Sequence, residues 1–376
     1  MKRTMKKMVS MALTGTMAVA VLAGAGTSEV KAADKAKIGV LVADVSGEEA
    51  QGFRSYYENY IAGNYDVEFN YTDALQSAED EKTAIEKFAS QGCQAIISFS
   101  SNDRVQQIET CEKYGVYYAV ASGVLDDAQY ETYKTYEYFA GQVGPGNDTE
   151  FEAGKDMGAY YKEQGVSKVA IYGAFIPNPM HVYRVAGVLN GLGCTYGGES
   201  DMNAIAGQIF QDQTVDLSKV EGDVEVVSYL QGYGDTTTDE LNAAIQKTPD
   251  AFISVGMATT FFAQSLSEAG ISFSDIDSFT ETNGNSMKNG TLTYLAGKYS
   301  SSIGPVFALV MNAINGNVIR DEDGNAPSIS WVPSALCMIA NTNAFSVADL
   351  SEIKTVIFGG EVMPIKQLKA WQKAVP

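Results

Sequence analysis

Strand-like apolar runs and helical stretches alternate along this chain, and the alternation happens twice. Lys37-Ile-Gly-Val-Leu-Val-Ala-Asp44 is a continuous apolar run with a polar end, the pattern of a parallel strand buried on both faces. Residues 47–62 read as a helix with Phe53, Tyr56, Tyr57 and Tyr60 at helical spacing, a stripe expected to face the core. Strands are predicted over 65–71, 95–99, 116–121 and 138–143, and helices over 78–91 and 104–114. A second series follows. Its helices cover 154–164, 180–192, 239–246 and 259–269, and its strands cover 168–173, 224–230, 251–255 and 278–280. Strand, helix, strand at this rhythm predicts right-handed βαβ units, and hence an α/β chain with two doubly wound parallel-sheet domains. Ligands of open α/β sheets sit beyond the carboxyl ends of the strands, so two such edges facing each other would make an interdomain cleft.

Ahead of the ladder stands a stretch with the marks of an export signal. Lys2, Arg3, Lys6 and Lys7 form a basic head, residues 8–25 are apolar, and Val30-Lys31-Ala32 offers small residues for cleavage after Ala32. Residues 1–32 are therefore expected to be a signal peptide, and the protein to be extracellular or periplasmic. Leu22-Ala23-Gly24 is followed by Ala25 where a lipoprotein signal would carry cysteine, so no lipid anchor is expected there. Without residues 1–32, the chain's 26 basic and 46 acidic residues fall to 21 and 45, a net charge of −24. That charge disfavours nucleic acid and anionic membranes as partners.

Chemistry is sparse. His181 is the one histidine, and no second signal in the sequence supports a Ser–His–Asp or Cys–His set around it. No GxGxxG follows a strand, and neither a GxxxxGK[ST] nor an HExxH motif occurs. Gly141 to Gly146 is glycine-rich but falls where a loop between domains would lie. Cys93, Cys111, Cys194 and Cys337 show no CxxC pair and no metal spacing. Buried free thiols are expected, with a Cys93–Cys111 disulfide left open. No catalytic residue, metal or cofactor is assigned, and no enzyme activity is expected.

Three further stretches carry a resemblance. They are Ala153-Gly-Lys-Asp-Met-Gly158, Arg184-Val-Ala-Gly-Val188, and the segment from Asn289-Gly-Thr-Leu through Tyr294-Leu-Ala-Gly-Lys298 to Ser302-Ile-Gly304. In this order and spacing the chain resembles the type I periplasmic substrate-binding proteins of ABC importers, nearest to the sugar-binding branch. The resemblance implies two doubly wound domains joined by a three-crossover hinge and closing on a ligand. It places one lobe at 33–141 plus about 299–317, and the other at 142–298 plus about 331–376, with 318–330 as a polar insert. It implies a monomer that captures a small polar solute, best a sugar, and delivers it to the permease of an ABC transporter. A nucleoside or amino-acid-type ligand, or a sensory role at a membrane receptor, is the alternative.

The resemblance also implies site residues. Arg184 would donate a fork of hydrogen bonds to ligand oxygens. Lys298 and Glu281 would contact ligand near the crossover, and Gln231 and Tyr233 after a strand end. Asp44 and Ser46, with Ser100, Ser101 and Asn102, would face the cleft from the first domain, and Asn147 and Asp148 from the loop entering the second. At three places the chain departs from the branch. Glu48-Glu49-Ala50 stands where an aromatic pair is common, Ser122 where an aspartate is, and Gly256-Met257 where Asn-Asp is. Arg184 and Lys298 in one cleft would favour an acidic ligand unless a carboxylate such as Glu281 neutralises one of them.

Overall fold

The structure, a computed structural model, describes residues 35–330 apart from Phe279 and Tyr299. For Glu281, Lys288, Ser301, Ile329 and Ser330 it describes the backbone only. The proposed signal peptide, Cys337 and the tail 331–376 lie outside the described residues.

The first ladder runs β1 (Ala36–Val42), α1 (Glu48–Ser55), α2 (Ala62–Asn64), β2 (Val67–Ala74), α3 (Ala78–Ser90), β3 (Ala95–Ser98), α4 (Arg104–Tyr114), β4 (Tyr117–Ala121), α5 (Asp127–Tyr133) and β5 (Phe139–Gly144). The second runs α6 (Asn147–Glu163), β6 (Lys168–Tyr172), α7 (Pro179–Gly191), β7 (Thr195–Tyr196), α8 (Met202–Asp212), β8 (Val220–Glu221), β9 (Glu225–Leu230), α9 (Asp235–Gln246), β10 (Ala251–Ser254), α10 (Ala258–Phe261), α11 (Ala263–Glu268), β11 (Phe273–Ser278), α12 (Glu281–Lys288) and β12 (Leu292–Lys298). The chain then continues into α13 (Gly304–Ile314), and the last element among the described residues is β13 (Ser328–Ser330). One sheet has the order β13-β5-β4-β3-β1-β2 and the other β12-β11-β10-β6-β9, and every pairing within them is parallel. The short β7 and β8 pair antiparallel to each other.

Local signals explain the frame. Ser77 caps α3 by accepting from the Asp80 amide, and Asp103 caps α4 by accepting from Gln106. Gly115 closes α4 at φ 66°, where a side chain would be strained. Between α1 and α2 the helix widens to a π-helical stretch over Tyr56–Ile61 that buries Tyr56, Tyr57 and Ile61 together. Glycines set the closest packing in the second lobe. A Cβ on Gly154 of α6 would lie 2.1 Å from the Arg184 carbonyl, and one on Gly187 of α7 would lie 2.0 Å from that of Phe151. Gly158 and Gly191, one helical turn on, meet the opposite backbone in the same way. The glycines of the two resembling helices therefore let α6 and α7 touch backbone to backbone, which brings Arg184 beside Glu150.

Several expectations need correction. Helix α6 starts at Asn147 rather than Gly154. Thr149 and Glu150 are buried in its first turn, so no apolar periodicity announces it. The strand expected at 278–280 is the end of β11, which Asp275 and Asp277 disguise as polar. The segment 318–330 is no free insert. Arg320 donates to the carbonyls of Tyr136, Glu137 and Phe139, and Ser328–Ser330 pairs with Gln142–Gly144 at the edge of the first sheet. Cys93, Cys111 and Cys194 are buried free thiols, and burial pushes the Cys93 thiol up to about 11.

Candidate interlobe binding cavity

The carboxyl ends of both sheets border one cavity of about 650 Å³. That is within the roughly 300–1,000 Å³ typical of small-molecule sites. Its first-lobe wall is aromatic. Phe53 and Phe99 stack with centroids 5.2 Å apart, Tyr57 stacks on Phe69 at 4.7 Å, and the Arg54 guanidinium lies 4.5 Å over the Tyr71 ring. The Tyr71 hydroxyl is buried with no hydrogen-bond partner among the described residues.

Three cations line the cavity, and each already has an anion. Arg54 Nε donates to Glu58 Oε1 at 2.9 Å. Arg184 Nε donates to Glu150 Oε2 at 2.5 Å and Nη1 donates to the Val255 carbonyl at 2.9 Å. Both side chains of the pair are buried. Lys298 Nζ lies 2.6 Å from Glu49 Oε2, and the Ser278 hydroxyl donates to that same carboxylate. The Thr282 hydroxyl donates to Glu48. Glu48 and Glu49 open helix α1 in the first lobe, whereas Ser278, Thr282 and Lys298 belong to β11, α12 and β12. Two carboxylates thus bridge the lobes on the crossover side.

Open acceptors lie next to them. Asp277 lines the cavity at the end of β11, held by its neighbour's amide, Ser278 N, at 2.7 Å and by Asn283 Nδ2 at 3.4 Å. Asn283 also donates to the Ser278 carbonyl at 2.7 Å, while its Oδ1 is buried without a partner among the described residues. Burial and then the Glu49 carboxylate raise the Asp277 pKa, with Lys298 pulling the other way. Asp275 behind it is fully buried, accepts from Ser254 and Thr259, and is also raised, by burial first and Asp277 second. His181 completes the wall. Its Nδ1 lies 3.2 Å from both backbone polar atoms of Phe175. Burial, then the Arg184 charge, pushes its pKa down to about 3, so the ring is neutral. Among the described residues no cluster of His, Cys, Asp and Glu could hold a metal ion.

No protein-family model matches the sequence, and no curated protein does. Solved structures do match. A periplasmic solute-binding protein of an ABC transporter from Actinobacillus succinogenes, with bound D-allose, aligns at TM-score 0.61 and 16% identity over 82% of this chain and 98% of that one. An ABC transporter solute-binding protein from Agrobacterium vitis with bound D-fucose gives 0.57 and 13% over 81% and 94%. One from Bacillus halodurans with bound myo-inositol gives 0.55 and 16% over 86% and 99%. The chain has the type I periplasmic-binding-protein fold.

Within this fold the expected site residues divide into two groups. Arg184, Lys298, Asp44, Ser122, Gly256 and Met257 line the cavity. Ser122 and Met257 do so at φ 56° and 69°, a strained region for residues with side chains. The others lie elsewhere. Ser46 turns back to hydrogen-bond Asp44. Ser100 and Asn102 are drawn to the buried Glu81 carboxylate, which organises the loop, and Ser101 is exposed. Asn147 and Asp148 are exposed at the start of α6. Gln231 donates to the Gln213 carbonyl, and Tyr233 sits outside the cavity, exposed. The Glu281 side chain lies outside the described residues. The resemblance had not pointed to Asp277, Asn283, His181, Tyr71, Phe53 or Phe99 as site residues. The aromatic pair missing after β1 is replaced by Phe53, one turn further along α1, and Phe99 after β3. Phe53 and Tyr57 were legible as core, and they are core; their inner faces also form the cavity wall.

Proposed function

We propose that this chain is an extracytoplasmic binding protein that captures a small, neutral, hydroxylated solute, best a sugar, between its two lobes and delivers it to an ABC importer. The carrying observation is the charge balance of the cavity. Arg54, Arg184 and Lys298 are paired with Glu58, Glu150 and Glu49, while Asp277 lines the cavity as a further acceptor and Asn283 Oδ1 is buried with no partner among the described residues. A buried acceptor left unpaired costs about 1–3 kcal/mol, so a ligand bringing hydroxyl groups recovers that cost. The stacked Phe53 and Phe99 wall suits the apolar face of a sugar ring. The sugars and the cyclitol bound to proteins of the same fold support the choice, and the export signal supports the location. The working cycle is lobe closure and opening by a monomer, with no bond made or broken and a permease as the receiving partner.

The experiment is calorimetry against a panel of neutral sugars, polyols, nucleosides and amino acids, with X-ray scattering on every binder. Binding of a neutral polyhydroxylated compound with compaction supports the proposal. Binding by none, or compaction with none, removes it. The aromatic wall gives a nucleoside a specific claim as second reading, because a base could stack on Phe53 and Phe99; the same panel separates the two.

A further inference from the structure

Beside the cavity, three aromatic side chains gather on the second lobe. Phe175 follows β6, Tyr233 follows β9 and Phe261 follows β10, and these strands are neighbours in the order β10-β6-β9. Tyr233 and Phe261 lie nearly parallel, 11° apart with centroids at 6.1 Å, and Phe175 supports Tyr233 edge-on at 5.5 Å. Tyr233 is 69% exposed and Phe261 39%. Among the described residues only Val45 and Tyr114 are large hydrophobics of comparable exposure, and neither is stacked with the other. Leaving two stacked rings in water forgoes burial that an apolar side chain normally gains.

The loops that carry Phe175 and Tyr233 are tied together, and Phe261 is the last residue of helix α10. Gly232 N donates to the Ala174 carbonyl at 2.6 Å, and the Tyr172 hydroxyl donates to the Gly232 carbonyl at 2.8 Å. The Phe175 and Tyr233 side of the pad is therefore held in place before anything binds. It is also continuous with the cavity wall. Phe175 packs against His181, with centroids 5.7 Å apart, and Phe261 directly follows Thr260; His181 and Thr260 both line the cavity.

From this continuity we infer that the Phe175–Tyr233–Phe261 pad is a second carbohydrate subsite, which takes the next ring of a ligand whose first ring occupies the cavity. The ligand class is thereby narrowed from a monosaccharide to a short glycosidically linked saccharide. The inference rests on the sugar reading above. Its chemistry is that of amphipathic rings: the C–H faces of a pyranose or furanose lie on aromatic faces while the hydroxyls stay hydrated at the rim.

The test uses calorimetry on the whole chain with glucose, galactose and xylose and their di- and trisaccharides. A disaccharide is expected to bind at least about tenfold tighter than its monosaccharide, as a ring stacked on an aromatic pair would provide. Tyr233→Ala and Phe261→Ala should each erode that gain and leave the monosaccharide affinity unchanged, and Tyr233→Phe should keep it. Equal affinity for mono- and disaccharides in the unmodified protein overturns the second subsite but leaves the cavity reading standing. So does an equal loss for both lengths in the alanine variants. Failure of every saccharide at every length removes the sugar reading, and the pad proposal with it.

Discussion

Glu150 meets Arg184 inside the second lobe, Oε2 to Nε at 2.5 Å, where their side chains are 3% and 7% exposed. The cation that resemblance would aim at a ligand is thus bound first to its own lobe. Its geometry is fixed by the glycine contacts between α6 and α7, and the Val255 carbonyl takes a second donor. The guanidinium still lines the cavity, but its charge is answered from within.

Arg184→Met should therefore cost stability before it costs affinity. Removing one partner of a buried pair leaves an uncompensated charge, worth about 3–5 kcal/mol. Arg184→Met with Glu150→Leu should recover most of that loss. Denaturant midpoints of the single and double variants check this, and a single variant as stable as the unmodified protein would show that the pair is not buried as described.

Glu49 and Lys298 bridge the lobes, and Glu49 is one-third exposed, so the pair is partly screened. Glu49→Gln should weaken ligand binding by roughly 0.5–1.5 kcal/mol and raise the ligand off-rate, since the closed form loses a charge-assisted contact. Stopped-flow dissociation measures the rate. Scattering of the ligand-bound variant should show a more open average shape.

Asp277 gives a trade-off of opposite signs. Its folded pKa is raised above the unfolded value, so its contribution to stability is present at low pH and is lost as pH rises through the folded pKa. Asp277→Asn removes that loss and should be at least as stable as the unmodified protein at pH about 8. The same change should weaken binding by about 1.5–3 kcal/mol, the worth of a hydrogen bond to a charged acceptor. Melting curves and titration calorimetry on one sample read both effects.

His181 is the chain's one histidine, so its titration is directly visible. With its pKa pushed down to about 3, the ring stays neutral well below the usual midpoint near 6.5. The unfolded chain takes up a proton there that the folded chain refuses, so this group's contribution is full above pH about 6.5 and declines toward pH about 3. Imidazole resonances unchanged down to pH about 4 are expected in nitrogen-15 NMR.

The ladder was legible because buried parallel strands are written as apolar runs, as in Lys37–Asp44 and Lys168–Gly173. Where polar residues do buried work the text fails. Asp275 and Asp277 concealed β11, and Glu150 concealed the start of α6. Arg184 was legible as a cavity residue because it opens the R-x-x-G stretch of the resemblance, within helix α7, but its partner lies 34 positions away in sequence. Glu48 and Glu49 looked like a lost aromatic contact, since no local pattern reveals that they reach Thr282, Ser278 and Lys298 more than 200 residues on. Ser100 and Asn102 looked like cleft residues by position, and a single buried carboxylate, Glu81, turns them away.

The most direct measurement compares sugars with their uronic acids, matched at every other centre, by calorimetry on the whole chain. If Arg184 and Lys298 are answered by Glu150 and Glu49, and Asp277 stays open, the neutral member of each pair should bind at least about tenfold tighter than its carboxylate, a difference of 1.4 kcal/mol or more. A uronic acid that binds tighter than its parent sugar would mean that a cation is free for the ligand, and would contradict the neutral-solute cavity.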